Sequence, residues 1–208
     1  MVGLLVPFTG CMDRGEQRAI PMVDPDFALV DATGRGDLDA FESLVKRYQS
    51  PLLNFIFRYL GDRSAAEDLT QEVFLRIYRA APRFQAKAKV ATWIFRIAYH
   101  LALNELQRRR RHEDLHQALQ GSGDEAAREP LTDPVERYEL AEEMTSALGR
   151  LPANQRAALL LRVNQELSYR EIGEVLGLGV PSVESLLFRA RSELRRSMGR
   201  KTKQGVKA

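Results

Sequence analysis

Cysteine is almost missing from this chain: Cys11 stands alone among 208 residues. A lone thiol excludes a disulfide framework and a thiolate metal site. Histidine is nearly as scarce. His112 and His116 have the spacing of helix neighbours, but no cysteine or His-Glu signature accompanies them. They read as solvated side chains, so neither a metal nor a cofactor is expected. No apolar run reaches the roughly 18 residues of a spanning helix, which argues against membrane insertion. The opening MVGLLVPFTGCM is apolar but lacks a basic stretch ahead of it and runs into DRGEQR, a poor signal peptide. Met22 offers a second start just before the first well-patterned segment. A cytoplasmic location is expected. There is no phosphate loop, no G-x-S-x-G and no glycine-rich dinucleotide motif, so enzymatic activity is not expected. Strand signals are nearly absent as well.

What remains is helical spacing throughout, with 44% hydrophobic residues to form cores. Leu38, Phe41, Leu44, Val45, Tyr48, Leu52, Phe55, Ile56 and Tyr59 trace one stripe, with a kink or break predicted at Pro51 and an end at Gly61. Ser64 and Glu67 have the spacing of a capping box opening a helix near Ala65, which Pro82 stops. The loop RFQAKAKV leads to ATWIFRIAYHLALNELQRRRR, a helix from Ala91 to Arg111 with Ile94, Ile97, Ala98 and Leu101 as its apolar stripe. A polar stretch containing GSGDEAAREP reads as a linker. Beyond it, Leu140, Met144, Ala147 and Leu148 pattern one helix, and Ala157, Leu160, Leu161 and Val163 the next. Ser168 and Glu171 form a second capping box, Gly177-Leu178-Gly179 a tight turn, and a last helix follows Pro181.

Charge is unevenly placed. Eight basic residues face only Glu193 between Arg189 and Ala208, a net of +7, while ten acidic residues outweigh Arg128 and Arg137 between Glu113 and Thr145, a net of −8. Basic ends suit a polyanion partner that would repel the acidic connector, although solvated helix faces give the same pattern.

Two stretches carry chemistry. Trp93, Arg96, His100, Asn104, Arg108 and Arg111 step by three or four along one helix face. A tryptophan is ordinarily core, but here other residues already supply the stripe. A large ring among arginines also suits unstacked bases, with cations on the backbone. Near the C-terminus, two helices joined by the glycine turn form a helix-turn-helix signature, with Gly173 at a close approach. On its second helix Val183, Leu187, Ala190 and Leu194 point inward, leaving Ser185, Phe188, Arg189, Ser192 and Arg196 outside. Phe188 either meets a thymine methyl or packs on a neighbour.

The blocks DLTQEVFLRIYRA, ATWIFRIAYHLALNEL, LPANQRAALLLR and LSYREIGEVLGLGVPSVESLLFRARSELRR, in this order over roughly residues 30–199, resemble the signature blocks of extracytoplasmic function (ECF) sigma factors. These belong to the sigma-70 family of bacterial RNA polymerase initiation subunits. The resemblance implies an all-α fold of two small helical domains on a flexible acidic linker. It divides the chain into an N-terminal, poorly ordered extension over 1–30, a region 2 domain over 31–111, a linker over 112–133, a region 4 helix-turn-helix domain over 134–199 and a basic tail over 200–208. It implies that Asp68, Gln71, Glu72 and Arg76 dock on the clamp helices of the polymerase β′ subunit, although a solvated face with a Glu72–Arg76 pair fits the same residues. It places Trp93, Arg96, His100 and Asn104 at the −10 element and the Arg108–Arg111 run on phosphates. It sends Ser182, Glu184, Ser185, Phe188 and Arg189 into the major groove at the −35 element, with Arg191 nearer the backbone. The implied partners are polymerase core, including the β flap, promoter DNA and an anti-sigma protein.

Three departures from the pattern bear on specificity. His100 stands where many relatives carry asparagine, and Phe84-Gln85-Ala86-Lys87 replaces a phenylalanine-arginine-glycine-acid loop that helps choose the −10 base. Glu184 and Leu186 stand where some relatives are basic; Glu184 either accepts from cytosine N4 or caps its helix. The expected function is promoter recognition and strand opening for core polymerase. A tether of some 22 residues spans about 25 Å as a coil, less than one and a half turns of duplex at roughly 34 Å each, so polymerase is expected to set the separation of the two modules. The rival is a stand-alone helix-turn-helix regulator with an N-terminal sensor domain, which has no use for an aromatic-arginine ladder.

Overall fold

The structure, a computed structural model, describes residues 24–86, 88–120 and 145–204. Among these, seven principal helices and a short 3-10 turn appear, and no strand. They are α1 (Asp26–Gly34), α2 (Leu38–Leu60), α3 (Arg63–Ala80), the 3-10 turn Ala81–Arg83, α4 (Val90–Gln120), α5 (Ala153–Asn164), α6 (Tyr169–Leu176) and α7 (Val180–Gln204).

Helix ends follow from local chemistry. Asp37 opens α2 by accepting from the N–H groups of Asp39 and Ala40, which would otherwise lack partners. Gly61 closes it in the left-handed region at φ 72°, where a Cβ is disfavoured. The helix runs through Pro51 without the predicted break. Proline removes one N–H, but buried Tyr48, Leu52, Phe55 and Ile56 hold both halves on the same core. The capping box expected at Ser64 and Glu67 does not form: Asp62 caps α3 by accepting from Ala65 N at 3.0 Å, and Glu67 pairs with Arg63 instead. The box at Ser168 and Glu171 does form.

The first core packs α2, α3 and α4 around Phe55, Phe95, Tyr59, Ile77 and Ile94, with Phe55 and Phe95 edge to face at 5.6 Å. Residues 24–30, assigned above to a disordered extension, belong to this core. Val30 is buried, and buried Asp26 accepts from Arg47 and Tyr48. The second unit folds α5, α6 and α7 around Leu161, Ile172, Val183 and Leu187. Two stripe residues assigned inward by spacing stand out in solvent, Leu38 (64% exposed) and Val163 (63%), each at a helix end where the packing runs out. Helix α4 reaches Gln120, so the segment 112–120 is helical rather than linker. The remaining linker, Leu140 and Met144, residues 1–23, Lys87 and the end of the tail lie outside the described residues.

The two units are docked. Arg156 of α5, only 6% exposed, donates to Tyr59 O (2.6 Å) in the first unit and to Gly149 O (2.5 Å) and Leu151 O (3.1 Å) in its own. Burial, with Arg110 nearby, opposes its charge, and the three carbonyls and the Tyr59 ring offset that cost in part. Tyr99 donates to Asn154 Oδ1 at 3.0 Å, and Lys89 pairs with Glu171 at 2.7 Å. Burial pushes up the Glu171 carboxyl, but hydrogen bonds from Lys89 and Ser168 outweigh it and hold the group below the usual range.

Candidate nucleic-acid interface

The Trp93 face is built from four elements, α3, the 3-10 turn, the loop after it and α4. Trp93 sits on the first turn of α4, half-buried, its ring 4.6 Å from that of Phe84 in the preceding loop. The other residues of the predicted ladder, Arg96, His100, Asn104, Arg108 and Arg111, are all exposed on one side of α4. The aromatic pair lies in a cleft of about 790 Å³ whose basic lining comes from Arg76 and Arg79 of α3, Arg83 of the 3-10 turn and Arg96 of α4. Gln85, Thr92 and Glu174 of α6 also line it. Spacing along α4 alone finds Trp93 and Arg96 but not Arg79 and Arg83, which only tertiary packing brings beside them.

The arginine run is not uniform. Arg109 is turned inward, 17% exposed, bonded to Glu105 at 2.6 Å and to Asp62 at 2.9 Å. Arg108 is exposed but shares Glu105 at 2.8 Å. The hydrogen bond from Arg108, together with Arg109 and against the effect of burial, holds the Glu105 carboxyl down to about 2. Of the run, Arg110 and Arg111 are also exposed, and His100 donates from Nδ1 to Arg96 O at 2.8 Å.

The helix-turn-helix presents a simpler face. Gly177 turns the chain at φ 69°, and a Cβ on Gly173 would lie 2.5 Å from Leu178 O, so only glycine lets the turn fold back onto α6. On α7, Val183, Leu187 and Ala190 are buried while Ser182, Glu184, Ser185, Phe188, Arg189 and Arg191 are exposed. Phe188, 73% exposed, therefore has no neighbour covering it. Beside it, Tyr169, Glu184, Arg191, Ser192 and Arg195 line a shallow groove, and the Arg162 guanidinium lies 5.6 Å from the Tyr169 ring.

The third predicted surface lies on α3. Asp68, Gln71 and Arg76 are exposed and Glu72 is half-buried, with Glu72 and Arg76 paired at 2.7 Å as spacing allowed. Sequence reading missed Leu75 (49% exposed) and Tyr78 on that helix, an apolar centre to an otherwise charged face.

Comparison with known proteins adds three findings. Residues 44–112 match the family model of sigma-70 region 2, and residues 141–194 that of sigma-70 region 4. The chain is 34% identical over 184 residues to the RNA polymerase sigma-H factor of Pseudomonas aeruginosa, covering 84% of this chain and 94% of that one. It is 35% identical over 179 residues to the ECF RNA polymerase sigma-E factor of Escherichia coli K12, covering 81% and 92%. Among solved structures it is similar to CnrH in complex with the cytosolic domain of CnrY, with a TM-score of 0.63 and 26% identity, covering 84% of this chain and 97% of that one.

Proposed function

Because the chain belongs to the sigma-70 family, as an ECF sigma factor of RNA polymerase, we propose that it reads a duplex −35 element with α7 and captures the opened −10 strand with the Trp93 face of α4. The observation that carries this reading is the cleft of four arginines around the Phe84–Trp93 pair. A stacked duplex presents base edges, which need a protruding helix; an unpaired base presents a π-face, which needs a ring and a cation. The molecule has one surface of each kind. Ser182, Ser185, Phe188 and Arg189 supply hydrogen bonds and an apolar contact in the major groove, and Arg191 a phosphate contact. Trp93, Arg96, His100 and Asn104 serve the opened strand, with Arg108 and Arg111 on its phosphates and Arg79 and Arg83 as additional cations at the cleft.

The outer face of α3, through Asp68, Gln71, Glu72 and Arg76, docks on the β′ clamp helices, and the second unit meets the β flap. Core polymerase supplies the chemistry, so the chain itself is not an enzyme, and it works in the cytoplasm. The docked arrangement is the resting form. Glu174 of the second unit lines the cleft, and the Lys89–Glu171 pair ties that unit to the residue ahead of α4, so polymerase undocks the second unit before both elements are engaged. A separate anti-sigma protein holding the docked form fits the likeness to CnrH, whose structure is that of a complex. The stand-alone regulator reading leaves the arginine cleft without a use.

Run-off transcription with core polymerase on a promoter pool, wild type against Trp93→Ala, tests the proposal. Core-dependent initiation with permanganate-reactive opening that fails in the mutant is expected. No core-dependent initiation from any promoter would overturn it.

A further inference from the structure

The segment ahead of α2 converges on the start of α4. Asp24 Oδ2 accepts a hydrogen bond from Val90 N at 2.8 Å, across 66 positions of sequence. Oδ1 of the same carboxylate accepts from Asp26 N at 3.0 Å, and the Asp24 carbonyl accepts from Phe27 N at 2.9 Å. One carboxylate thus serves N–H groups at the start of both α1 and α4, where partnerless donors and the helix dipole favour an anion. Lys89, beside Val90, also feels this carboxylate. One turn further, the Phe27 ring lies 6.0 Å from Phe84, which in turn lies 4.6 Å from Trp93. Helix α1 is itself pinned. Asp26 is bonded to Arg47 and Tyr48, and a Cβ on Gly34 would lie 2.9 Å from Ala81 O, so α1 presses on the 3-10 turn that feeds the 84–89 loop.

We propose that Asp24 is a positioning residue for promoter opening. By capping α4 from a distant part of the chain, with Phe27 backing Phe84, it fixes the first turn of α4 and so the direction in which Trp93 faces the cleft. Backbone N–H groups at that turn have a fixed partner, and the aromatic row Phe27–Phe84–Trp93 transmits the placement to the ring that meets the base. The inference rests on the reading of the Trp93 face given above.

Trp93 is the only tryptophan, so its fluorescence reports this placement in the free chain. Asp24→Ala, Asp24→Asn and Trp93→Ala are compared for emission where Trp93 is present, for closed-complex formation at low temperature, and for permanganate-reactive opening in holoenzyme. Asp24→Ala is expected to red-shift the emission, raise acrylamide quenching and lower opening roughly fivefold, the scale of a lost helix cap. Core binding and closed-complex formation stay at the wild-type level. Asp24→Asn keeps an acceptor oxygen in place and is expected to restore most of the opening and the emission. Unchanged emission in Asp24→Ala overturns the inference, as does a loss of core binding in step with the loss of opening. Wild-type opening by Trp93→Ala would instead overturn the reading of that face, while an emission shift in Asp24→Ala would still support the positioning role.

Discussion

The two faces proposed here to meet DNA are made in opposite ways. The face of α7 is carried whole by one helix, with Val183, Leu187 and Ala190 anchored beneath it and Phe188 standing clear in solvent. The Trp93 face is assembled from α3, the 3-10 turn, a loop and α4, backed by α1, and the second unit stands at its edge. The difference matches what each is proposed to meet. Duplex exists before the protein arrives, so a rigid, ready surface suffices. An unstacked base costs a few kcal/mol to create and needs a site prepared in advance to repay that cost. A composite site can be shaped more closely, but it depends on more parts remaining in place.

Five measurements break or sharpen that contrast. The largest effect is expected at the rigid face. Gly173→Ala drives a Cβ to 2.5 Å from the Leu178 carbonyl, a backbone atom with nowhere to retreat. A loss of about 3 kcal/mol in the second unit is expected by thermal melting, with −35 binding lost and the first unit intact. At the composite face, Trp93→Ala removes one stacking surface, about 2 kcal/mol or roughly thirtyfold in opening, with closed-complex formation unchanged. If closed complexes fall equally, the face reads duplex and the contrast is wrong.

Next comes the dock between the units. Arg156→Ala removes the charge-assisted donation to Tyr59 O across the dock, along with two that hold the guanidinium in place, and is expected to weaken docking by about 1.5 kcal/mol, with energy transfer between dyes on the two units reporting their separation. Lys89→Met breaks the pair between an exposed ammonium and the largely buried Glu171 carboxylate, about 1 kcal/mol, and the effect should shrink at high salt in the same assay. The last effect, in the arginine run, is read from its pH dependence. The Glu105 carboxyl is depressed from 4.5 to about 2 in the folded chain. Its contribution is therefore fully present above about pH 4.5 and is lost as pH falls toward about 2. Denaturant unfolding of wild type and Glu105→Gln should converge across that window, and a constant gap would show that the depression is absent.

How much of this was legible in the sequence depends on the range of the interaction. The stripe through Phe55 and Tyr59, the Ser168–Glu171 box, the Gly177 turn and the outward row on α7 are set by neighbours within a few residues, and spacing found them. The cap on α3 went to Asp62 rather than Ser64 because two acceptors competed within one turn. The inward turn of Arg109 depends on Asp62, far away in sequence, so four arginines in a row looked alike. The capping of Val90 by Asp24 and the dock through Arg156 span 66 and 97 positions, and no periodicity encodes such pairs. The acidic stretch suggested free modules; a buried guanidinium, indistinguishable in sequence from its exposed fellows, helps to join them.

That guanidinium has an inheritance of its own. All three of its hydrogen-bond acceptors are backbone carbonyls, of Tyr59, Gly149 and Leu151. Replacing any of those side chains leaves the acceptor oxygen in existence, whereas a single codon change at position 156 removes every donor at once. The share of the grip between the halves that Arg156 holds is therefore one-sided to mutation. A lineage can loosen it in one step without needing a matching change elsewhere, which makes the readiness of such a factor to open a trait adjustable at a single locus.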